Sequence, residues 1–245
     1  GKLHKAFDKN FDSELKYYEN TVSFVQTVTV KGNASYAFDP EREEVYMTGS
    51  DSVHRFLLRD HSLSAEAFSK PSFLARGFQS VYHTADHTLY SVHIDRQEII
   101  GYLPGQKRWE KNIDSLEITA YWQSNKFINQ RENALYILGG YGQLKYKNQV
   151  QRFLFGTRTW EEVAVKQEDY KPRYLAAVGT RAGGDTAYIL GGYGSNTGEQ
   201  MLNPKYYYDL LLFDVKNKEI KKIYTLPEPA EPFVFASAMV IDTDN

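Results

Sequence analysis

The sequence predicts an all-β protein of the β-propeller class, and three observations support this prediction. Two nearly identical strings, Ala134–Gly142 and Ala187–Gly194, place their glycine pairs 52 residues apart. Aromatic residues make up 15% of the 245-residue chain, and they are mostly tyrosine and phenylalanine, which favour strands. The segments around the repeated strings alternate apolar and polar residues over short runs bounded by turn signals. A repeat of about fifty residues that is built from short strands is typical of propeller blades.

Weaker copies of the repeat extend it toward the N-terminus. Each copy has an apolar-Tyr-x-apolar core, and its tyrosine recurs at intervals of 44, 46 and 52 residues. Since a four-stranded blade takes roughly 40–50 residues, these intervals predict four whole blades within a single domain that covers residues 1–245. The recurring tyrosines are Tyr46, Tyr90, Tyr136 and Tyr188, and the predicted blades span approximately residues 31–70, 74–115, 118–165 and 172–225.

The last two predicted blades are the most regular, because strands alternate there with clear turn signals. We expect the second strand of each to end at its glycine pair, Gly139–Gly140 or Gly191–Gly192, where the absence of a Cβ lets the backbone turn. Trp109 and Trp160 share the fourth-strand position, and a ring there would cover the glycine pair of its own blade. The strands expected are Val150–Phe155 and Thr159–Val163 in one blade, and Arg173–Val178, Ala187–Leu190, Tyr208–Val215 and Glu219–Tyr224 in the next.

A glycine pair that closes the second strand, a tryptophan in the fourth and a period near fifty residues make this chain resemble the kelch-repeat β-propellers, a fold shared with the central domain of galactose oxidase. The resemblance is specific over residues 120–225 and only compatible over residues 35–115, where the glycine pair is missing. One branch of these propellers consists of copper oxidases, and their activity needs a tyrosine crosslinked to a cysteine. Because the chain contains no cysteine, we expect a member without oxidase activity and without a cofactor.

The two ends of the chain suggest how the ring of blades would close. Residues 233–241 are typical of the first strand of a further blade, and residues 15–30 are typical of a strand pair. One interpretation is a composite fifth blade formed by residues 1–30 together with 233–245, which would give the propeller about five blades. The other is that the chain is a piece of a longer propeller, which would leave an open sheet edge.

Composition argues against several classes of partner and site. The formal net charge of −2 argues against a nucleic-acid-binding surface, and no apolar run approaches the roughly 18 residues that would insert this segment into a membrane. Without cysteine there is neither a disulfide nor a thiolate metal site. His83 and His87 are four residues apart, but the pattern around them indicates a solvated hairpin turn and not a helix face, so we predict no metal site.

The long connections of the predicted blades are expected on one face. In an antiparallel blade the loop between the second and third strands and the link to the next blade emerge at the same end, and loops on a rigid scaffold often carry function. Tyrosines and amides there offer broad contact to a peptide or a sugar with little loss of side-chain entropy. The candidate ligand-binding residues on this face are Arg76, Tyr141, Gln143, Tyr146, Arg173, Tyr193, Asn196, Asn203 and Tyr206.

The sequence favours a non-catalytic module that binds a protein or carbohydrate ligand through this face. A second interpretation is a propeller enzyme, a lyase, isomerase or glycan hydrolase, with its site at the mouth of the central channel. No nucleophile elbow, phosphate-binding loop or zinc-protease motif identifies catalytic residues. A third interpretation is the ligand-sensing part of a larger cell-surface receptor. We expect an extracytoplasmic location, periplasmic or at the cell surface, with the cytoplasm as the alternative.

Overall fold

The computed structural model of the protein describes residues 28–32, 34–68, 78–93, 98–103, 106–113, 124–235, 238–239 and 241. Within these ranges the chain forms seventeen β-strands, and its helical content is one 3-10 turn at Ala182–Gly184. Internal contacts divide the chain into a unit of residues 30–241, which contains every described strand, and a unit made of the two chain ends, of which Val28 and Thr29 are described. No helix in the described ranges is long and apolar enough to cross a membrane.

The first two sheets are antiparallel meanders of four strands each, in which every strand pairs with its neighbour in the chain. Short polar turns join the strands. In the first of these turns Asp39 Oδ1 accepts a hydrogen bond from the Glu41 N–H at 3.0 Å, as in an Asx turn. The first sheet contains β1 (Ser35–Asp39), β2 (Glu44–Thr48), β3 (Ser52–Leu57) and β4 (Leu63–Ala67), and the second contains β5 (Gln79–His83), β6 (Thr88–His93), β7 (Glu98–Leu103) and β8 (Arg108–Ile113).

The third and fourth sheets have the same meander order, with longer central strands. The first strand of the fourth sheet is split at Leu175, whose φ is +56°, and both halves pair with the second strand of that sheet. The third sheet contains β9 (Asn125–Asn129), β10 (Ala134–Gly142), β11 (Lys145–Leu154) and β12 (Thr159–Glu162), and the fourth contains β13 (Arg173–Tyr174), β14 (Ala177–Thr180), β15 (Thr186–Gly194), β16 (Lys205–Asp214) and β17 (Glu219–Thr225).

The predicted fold class is confirmed, since four antiparallel sheets form a four-bladed β-propeller arrangement. Each sheet lies inside one of the four predicted blade spans. The composite fifth blade stays a prediction, because residues 1–27 and 242–245 lie outside the described residues. Near the C-terminus, Ala238 forms a parallel bridge with Val178 of β14.

The repeated glycine pairs lie inside their strands and not at the strand ends. Gly139 and Gly140 have φ values of +57° and +120°, and Gly191 and Gly192 have +65° and +119°. At this point the pairing register with the next strand shifts in both sheets, which is a β-bulge that bends the strand and increases its twist. Both strands continue beyond the pair, so the expectation that the glycines end the strand is wrong.

Side chains from later in the chain close the space above the bulges. A Cβ built on Gly139 would meet the hydroxyl group of Tyr170, and one built on Gly191 would meet the ring of Phe235. Tyr170 is 2% exposed, and burial raises the pKa of its hydroxyl to about 12. The two bulges are thus sites of close packing, where any side chain larger than hydrogen would displace a ring.

The tryptophans of the fourth strands pack into the core instead. Trp160 lies on Phe153, with ring centroids 5.3 Å apart. Trp109 packs on Phe68 and Tyr102 at 5.5 and 5.0 Å. The expectation that these rings cover the glycine pairs is wrong, because the second and fourth strands of a blade are separated by the third, and each tryptophan stacks on that third strand or on an adjacent blade.

The hydrophobic core lies between successive sheets. In β10, Leu135 and Ile137 pack toward the second sheet, whereas Tyr136 and Leu138 pack toward the fourth. Alternate residues of a strand point to opposite faces, so a strand between two sheets needs an apolar residue at almost every position. This explains the unbroken apolar run of the repeated string. A further cluster joins the first and second sheets in the same way.

Replacing Gly191 with alanine is expected to lower the free energy of unfolding by about 1–3 kcal/mol, the usual cost of holding a non-glycine residue in a sparsely populated backbone conformation. The new Cβ would also meet the ring of Phe235. Gly156→Ala is the matched control, because nothing lies within 4 Å of a Cβ at that position. Urea unfolding followed by tryptophan fluorescence measures both variants. Equal unfolding midpoints would contradict the bulge assignment.

Candidate functional site

The tip of the third sheet is a tight hairpin. β10 and β11 are joined by Gln143 and Leu144 alone, and their φ values are +50° and +62°. Positive φ at both central residues is typical of a type I′ turn, whose twist matches that of the strands. This connection is much shorter than the long loop that the sequence suggests, because both strands run on past the glycine bulge.

The tip of the fourth sheet reaches across to the third. The β15–β16 connection covers residues 195–204, and its Glu199 forms an antiparallel bridge with Lys145 of β11. The Tyr146 N–H donates to the Gly198 carbonyl at 2.7 Å. Lys145 Nζ also lies 3.1 Å from Glu199 Oε1, with both side chains about half exposed. Backbone hydrogen bonds therefore join the two hairpins into one edge.

Five tyrosines meet at this edge, and we call them the tyrosine cluster: Tyr141, Tyr146, Tyr174, Tyr193 and Tyr206. Within a sheet they are cross-strand neighbours, as with Tyr193 and Tyr206, which pair in register with ring centroids 4.8 Å apart. Between the sheets, Tyr174 lies 5.3 Å from Tyr141 and 5.8 Å from Tyr146. Contacts of this kind contribute beyond the area that they bury.

The cluster is graded in burial, from a closed centre to an open rim. Tyr146 is 5% exposed and Tyr206 is 38% exposed. Burial, with the neighbouring tyrosines Tyr193, Tyr174 and Tyr141 as further causes, raises the pKa of Tyr146 to about 12. The raised pKa makes this hydroxyl group harder to ionise than that of an exposed tyrosine.

Polar and apolar side chains surround the tyrosine cluster. The Tyr141 hydroxyl donates to Gln200 Oε1 at 2.7 Å, which fixes the β15–β16 connection against the third sheet. Three aliphatic side chains at the same edge remain exposed. They are Leu144 in the β10–β11 turn and Met201 and Leu202 in the β15–β16 connection, at 69%, 86% and 53% exposed. We call these three the apolar rim.

The structure brings four of the predicted ligand-binding residues together in the tyrosine cluster, and the other described candidates lie around it or away from it. Tyr174 was not predicted, although its position next to the first-strand Arg173 made a pairing with Tyr193 foreseeable. Arg76 lies outside the described residues. The four in the cluster are Tyr141, Tyr146, Tyr193 and Tyr206. Gln143 lies in the β10–β11 turn, and Asn196 accepts a hydrogen bond from the Tyr207 hydroxyl at 3.2 Å. Asn203 lies exposed in the β15–β16 connection with φ of +49°.

Arg173 belongs to the framework of the fourth sheet. Its side chain is fully buried, and its guanidinium forms a bidentate pair with Asp209, at 2.5 Å from Nη1 and 3.2 Å from Nη2. Nη1 also donates to the Gly191 carbonyl at 3.1 Å, and the guanidinium carbon lies 3.9 Å from the centre of the Tyr207 ring. The pair ties β13 to β15 and β16 directly beneath the tyrosine cluster.

The first strands of the sheets lie beside one another, β1 with β5, β5 with β9 and β9 with β14. There Lys126 Nζ on β9 donates to Gln79 Oε1 on β5 at 2.8 Å. Burial lowers the pKa of the Lys126 ammonium to about 8. The partner of the ammonium is a neutral amide and not a carboxylate, so no paired charge opposes this lowering of the pKa.

The β5–β6 turn differs from the solvated hairpin that the sequence suggests. His87 is exposed, but His83 is 2% exposed. Among the residues that the structure describes, no three histidine, aspartate or glutamate side chains lie close enough together to hold a metal ion.

Among solved structures, YjhT, a propeller-type protein, has a similar fold. The similarity covers 83% of this chain and 68% of the YjhT chain, with a TM-score of 0.61 and 15% sequence identity. At this identity the likeness shows the fold alone, because one scaffold carries many functions. No protein-family model matches the sequence, and no curated protein matches it either.

Replacing Arg173 with methionine is expected to lower the free energy of unfolding by about 3–5 kcal/mol, because the Asp209 carboxylate would be left buried without its partner. The double variant Arg173→Met/Asp209→Leu should recover part of the loss. Arg108→Met serves as control, since Arg108 pairs with Glu110 in an exposed contact, and such pairs contribute at most about 1 kcal/mol. Urea unfolding compares the three. A small effect of Arg173→Met would show that Arg173 is not part of the framework.

Lys126 makes the stability depend on pH. Its pKa is about 8 in the folded protein, against an ordinary lysine value of 10.5. The unfolded state therefore binds more protons between these two pH values, and the free energy of unfolding rises with pH across that window. Lys126→Met should be more stable than wild type at pH 7, and this advantage should shrink as pH approaches 10.5. Urea unfolding at a series of pH values tests this. The control is Lys216→Met, at an exposed turn position, whose difference in free energy of unfolding from wild type should not change with pH across this window. If the difference for Lys126→Met also stayed constant with pH, the lowered pKa of Lys126 would be contradicted.

Proposed function

We propose that the protein is a non-catalytic binding module that docks a partner protein on the tips of its third and fourth sheets. The observation that carries the proposal is the apolar rim beside the tyrosine cluster, where Met201 is 86% exposed. Tyrosine and methionine are enriched at the centres of protein interfaces, and contiguous exposed apolar side chains mark interaction sites. The surface thus combines the partly buried rings of the tyrosine cluster with the exposed side chains of the apolar rim.

The geometry of the tyrosine cluster favours a protein over a carbohydrate. A sugar ring packs on an exposed flat aromatic face, but most rings of the cluster are tilted against each other. Tyr193 and Tyr206 meet at 62°, and Tyr146 and Tyr193 meet at 85°. The pair Tyr146 and Tyr174 is closest to parallel, at 25°, yet Tyr146 is buried. A rough surface of ring edges and hydroxyl groups suits the side chains of a peptide better.

The surface is held in place before any partner binds. The Lys145–Glu199 bridge and the hydrogen bond from Tyr141 to Gln200 fix the β15–β16 connection onto the third sheet. Fixing a loop in advance reduces the entropy that binding would otherwise cost. Tyrosine adds to this because its ring has few rotatable bonds for its contact area.

We assign the propeller to the kelch type as part of this proposal. The support is the repeated glycine pair, which forms the same bulge in β10 and β15. The placement of Arg173 bears on the enzyme alternative, because its guanidinium pairs with Asp209 and donates to the backbone carbonyls of Lys171 and Gly191. The Arg173 side chain is fully buried, so its guanidinium is not accessible to a substrate.

Selection of peptides from a displayed random library tests the docking surface. Peptides selected on the wild-type protein are measured by isothermal titration calorimetry against Met201→Asp and Tyr206→Ala. We expect each substitution to weaken binding by about tenfold or more, as for residues central to an interface. Leu58→Asp is the matched control, since Leu58 is an exposed leucine, 42% accessible, in a turn of the first sheet, and it should leave binding unchanged.

Two results would change the assignment. If the selected peptides bind Met201→Asp and Tyr206→Ala as tightly as wild type, this surface is not the binding site. If an array of glycans shows binding that the same two substitutions abolish, while no selected peptide depends on them, the ligand is a carbohydrate.

A further inference from the structure

The sulfur chemistry of this protein rests on methionine alone. A cysteine thiolate is ordinarily the side chain that a peroxide attacks first, but the chain contains no cysteine. The thioether of methionine is the other side-chain sulfur that peroxides oxidise. The chain has three methionines, Met47, Met201 and Met239, and all three lie among the described residues.

The three thioethers differ in exposure. Met201, in the β15–β16 connection, is 86% exposed. Met47 lies in β2, and Met239 follows Ala238, which forms the bridge to β14. Both of these methionines are only partly exposed. Because oxidation of a sulfur follows its accessibility, a peroxide reaches Met201 before the other two.

Backbone hydrogen bonds hold Met201 at the surface. The Gln200 N–H donates to the Leu144 carbonyl at 3.2 Å, and the Leu202 N–H donates to the Glu199 carbonyl at 3.2 Å. The residues on both sides of Met201 are therefore tied down, one to the β10–β11 turn and the other within the β15–β16 connection. The first of these bonds also joins the two parts of the apolar rim, so Met201 and Leu144 belong to one surface.

Oxidation converts this thioether from an apolar group into a polar one. A lone pair of the sulfur attacks one oxygen of hydrogen peroxide, the O–O bond breaks and an S–O bond forms. The hydroxide that leaves takes the proton of the transferred oxygen and becomes water, so the sulfur is oxidised and the peroxide is reduced. The new sulfoxide oxygen accepts hydrogen bonds, and burying it against apolar atoms without a donor is unfavourable.

The neighbouring rim side chains offer little to a sulfoxide oxygen. Leu144 and Leu202 are aliphatic and carry no donor. The Tyr141 hydroxyl at the same edge already donates to Gln200 Oε1 at 2.7 Å. A sulfoxide at Met201 would therefore take its hydrogen bonds from water, and a partner that packs on the apolar rim would have to displace that water.

We propose that Met201 is an oxidation site, and that conversion of its thioether to the sulfoxide by a peroxide releases the partner from the docking surface. The release rests on the proposed function of this surface, whereas the selective oxidation of Met201 does not. The step is reversible, because methionine sulfoxide reductases restore the thioether. In that reaction the sulfoxide oxygen leaves as water and a dithiol is oxidised to the disulfide.

Peptide mapping by mass spectrometry tests the oxidation site. The folded protein is treated with substoichiometric hydrogen peroxide and a metal chelator, and catalase stops the reaction before digestion. The peptide that contains Met201 should carry an added oxygen atom about tenfold more often than those with Met47 or Met239, since oxidation follows exposure. Unfolding in urea should abolish this preference. Equal oxidation of the three methionines in the folded protein would overturn the proposal.

Calorimetry with a library-selected peptide that lacks methionine and cysteine tests the release. Oxidation of the wild-type protein should weaken binding by about tenfold or more, as for a residue central to an interface. Treatment with methionine sulfoxide reductases A and B and dithiothreitol should restore it. Met201→Leu should bind the peptide equally before and after peroxide, whatever its own affinity. Met47→Leu, a volume-conserving change away from the surface, should lose binding on oxidation as the wild type does.

The outcomes separate this proposal from the docking surface on which it rests. If Met201→Asp weakens binding but oxidation of the wild type does not, the docking surface stands and the release by peroxide is wrong. If Met201→Leu loses binding on oxidation as the wild type does, another group is responsible and the proposal is overturned. If no selected peptide depends on Met201 or Tyr206, the proposed function fails and the release fails with it.

Discussion

The close backbone approach at Gly139 and Gly191 is the constraint on which the rest of the structure depends. Each glycine holds a positive φ that bends a long strand, and Tyr170 or Phe235 fills the space where a side chain would be. The bend shifts the register, so the residues beyond it project past the sheet as a hairpin tip. Without this bulge the two strands would end earlier, and the tyrosine cluster would have no edge to form on.

A second interaction converts the bend into a platform. The buried pair of Arg173 and Asp209 holds the short strand β13 against β15 and β16, and Tyr174 follows directly on that strand. Because Tyr174 contacts the rings of both sheets, the ion pair indirectly sets the distance between the two hairpins. Arg173, which the sequence predicts as a ligand-binding residue, thus holds the strand that positions the aromatic rings.

The two ends of the blades carry different side chains. At the hairpin tips, aromatic rings and exposed aliphatic side chains offer area with few unsatisfied polar atoms. At the opposite turns, polar and aromatic side chains such as His83, Asn133 and Phe155 line a small cavity between the second and third sheets. Polar residues are common in turns because their side chains form hydrogen bonds with the turn backbone. Where turns from neighbouring blades lie side by side, some of their side chains line the space between the blades.

The fold class followed from the sequence by itself, because strand alternation, a period near fifty residues and a repeated glycine pair are local signals. The same signals placed Tyr141, Tyr146, Tyr193 and Tyr206 among the candidates on one face, but their contacts with one another appear only in the structure. Trp160 stacks on Phe153 and His83 is buried. The local sequence pattern predicts neither of these features. Burial of a residue between two sheets depends on what the neighbouring blade supplies. The same holds for Arg173, whose partner Asp209 is 36 residues away. The sequence determined which residues turn, alternate and stack within a blade, and only the tertiary structure decided which of them face solvent, because that choice is made by contacts between blades.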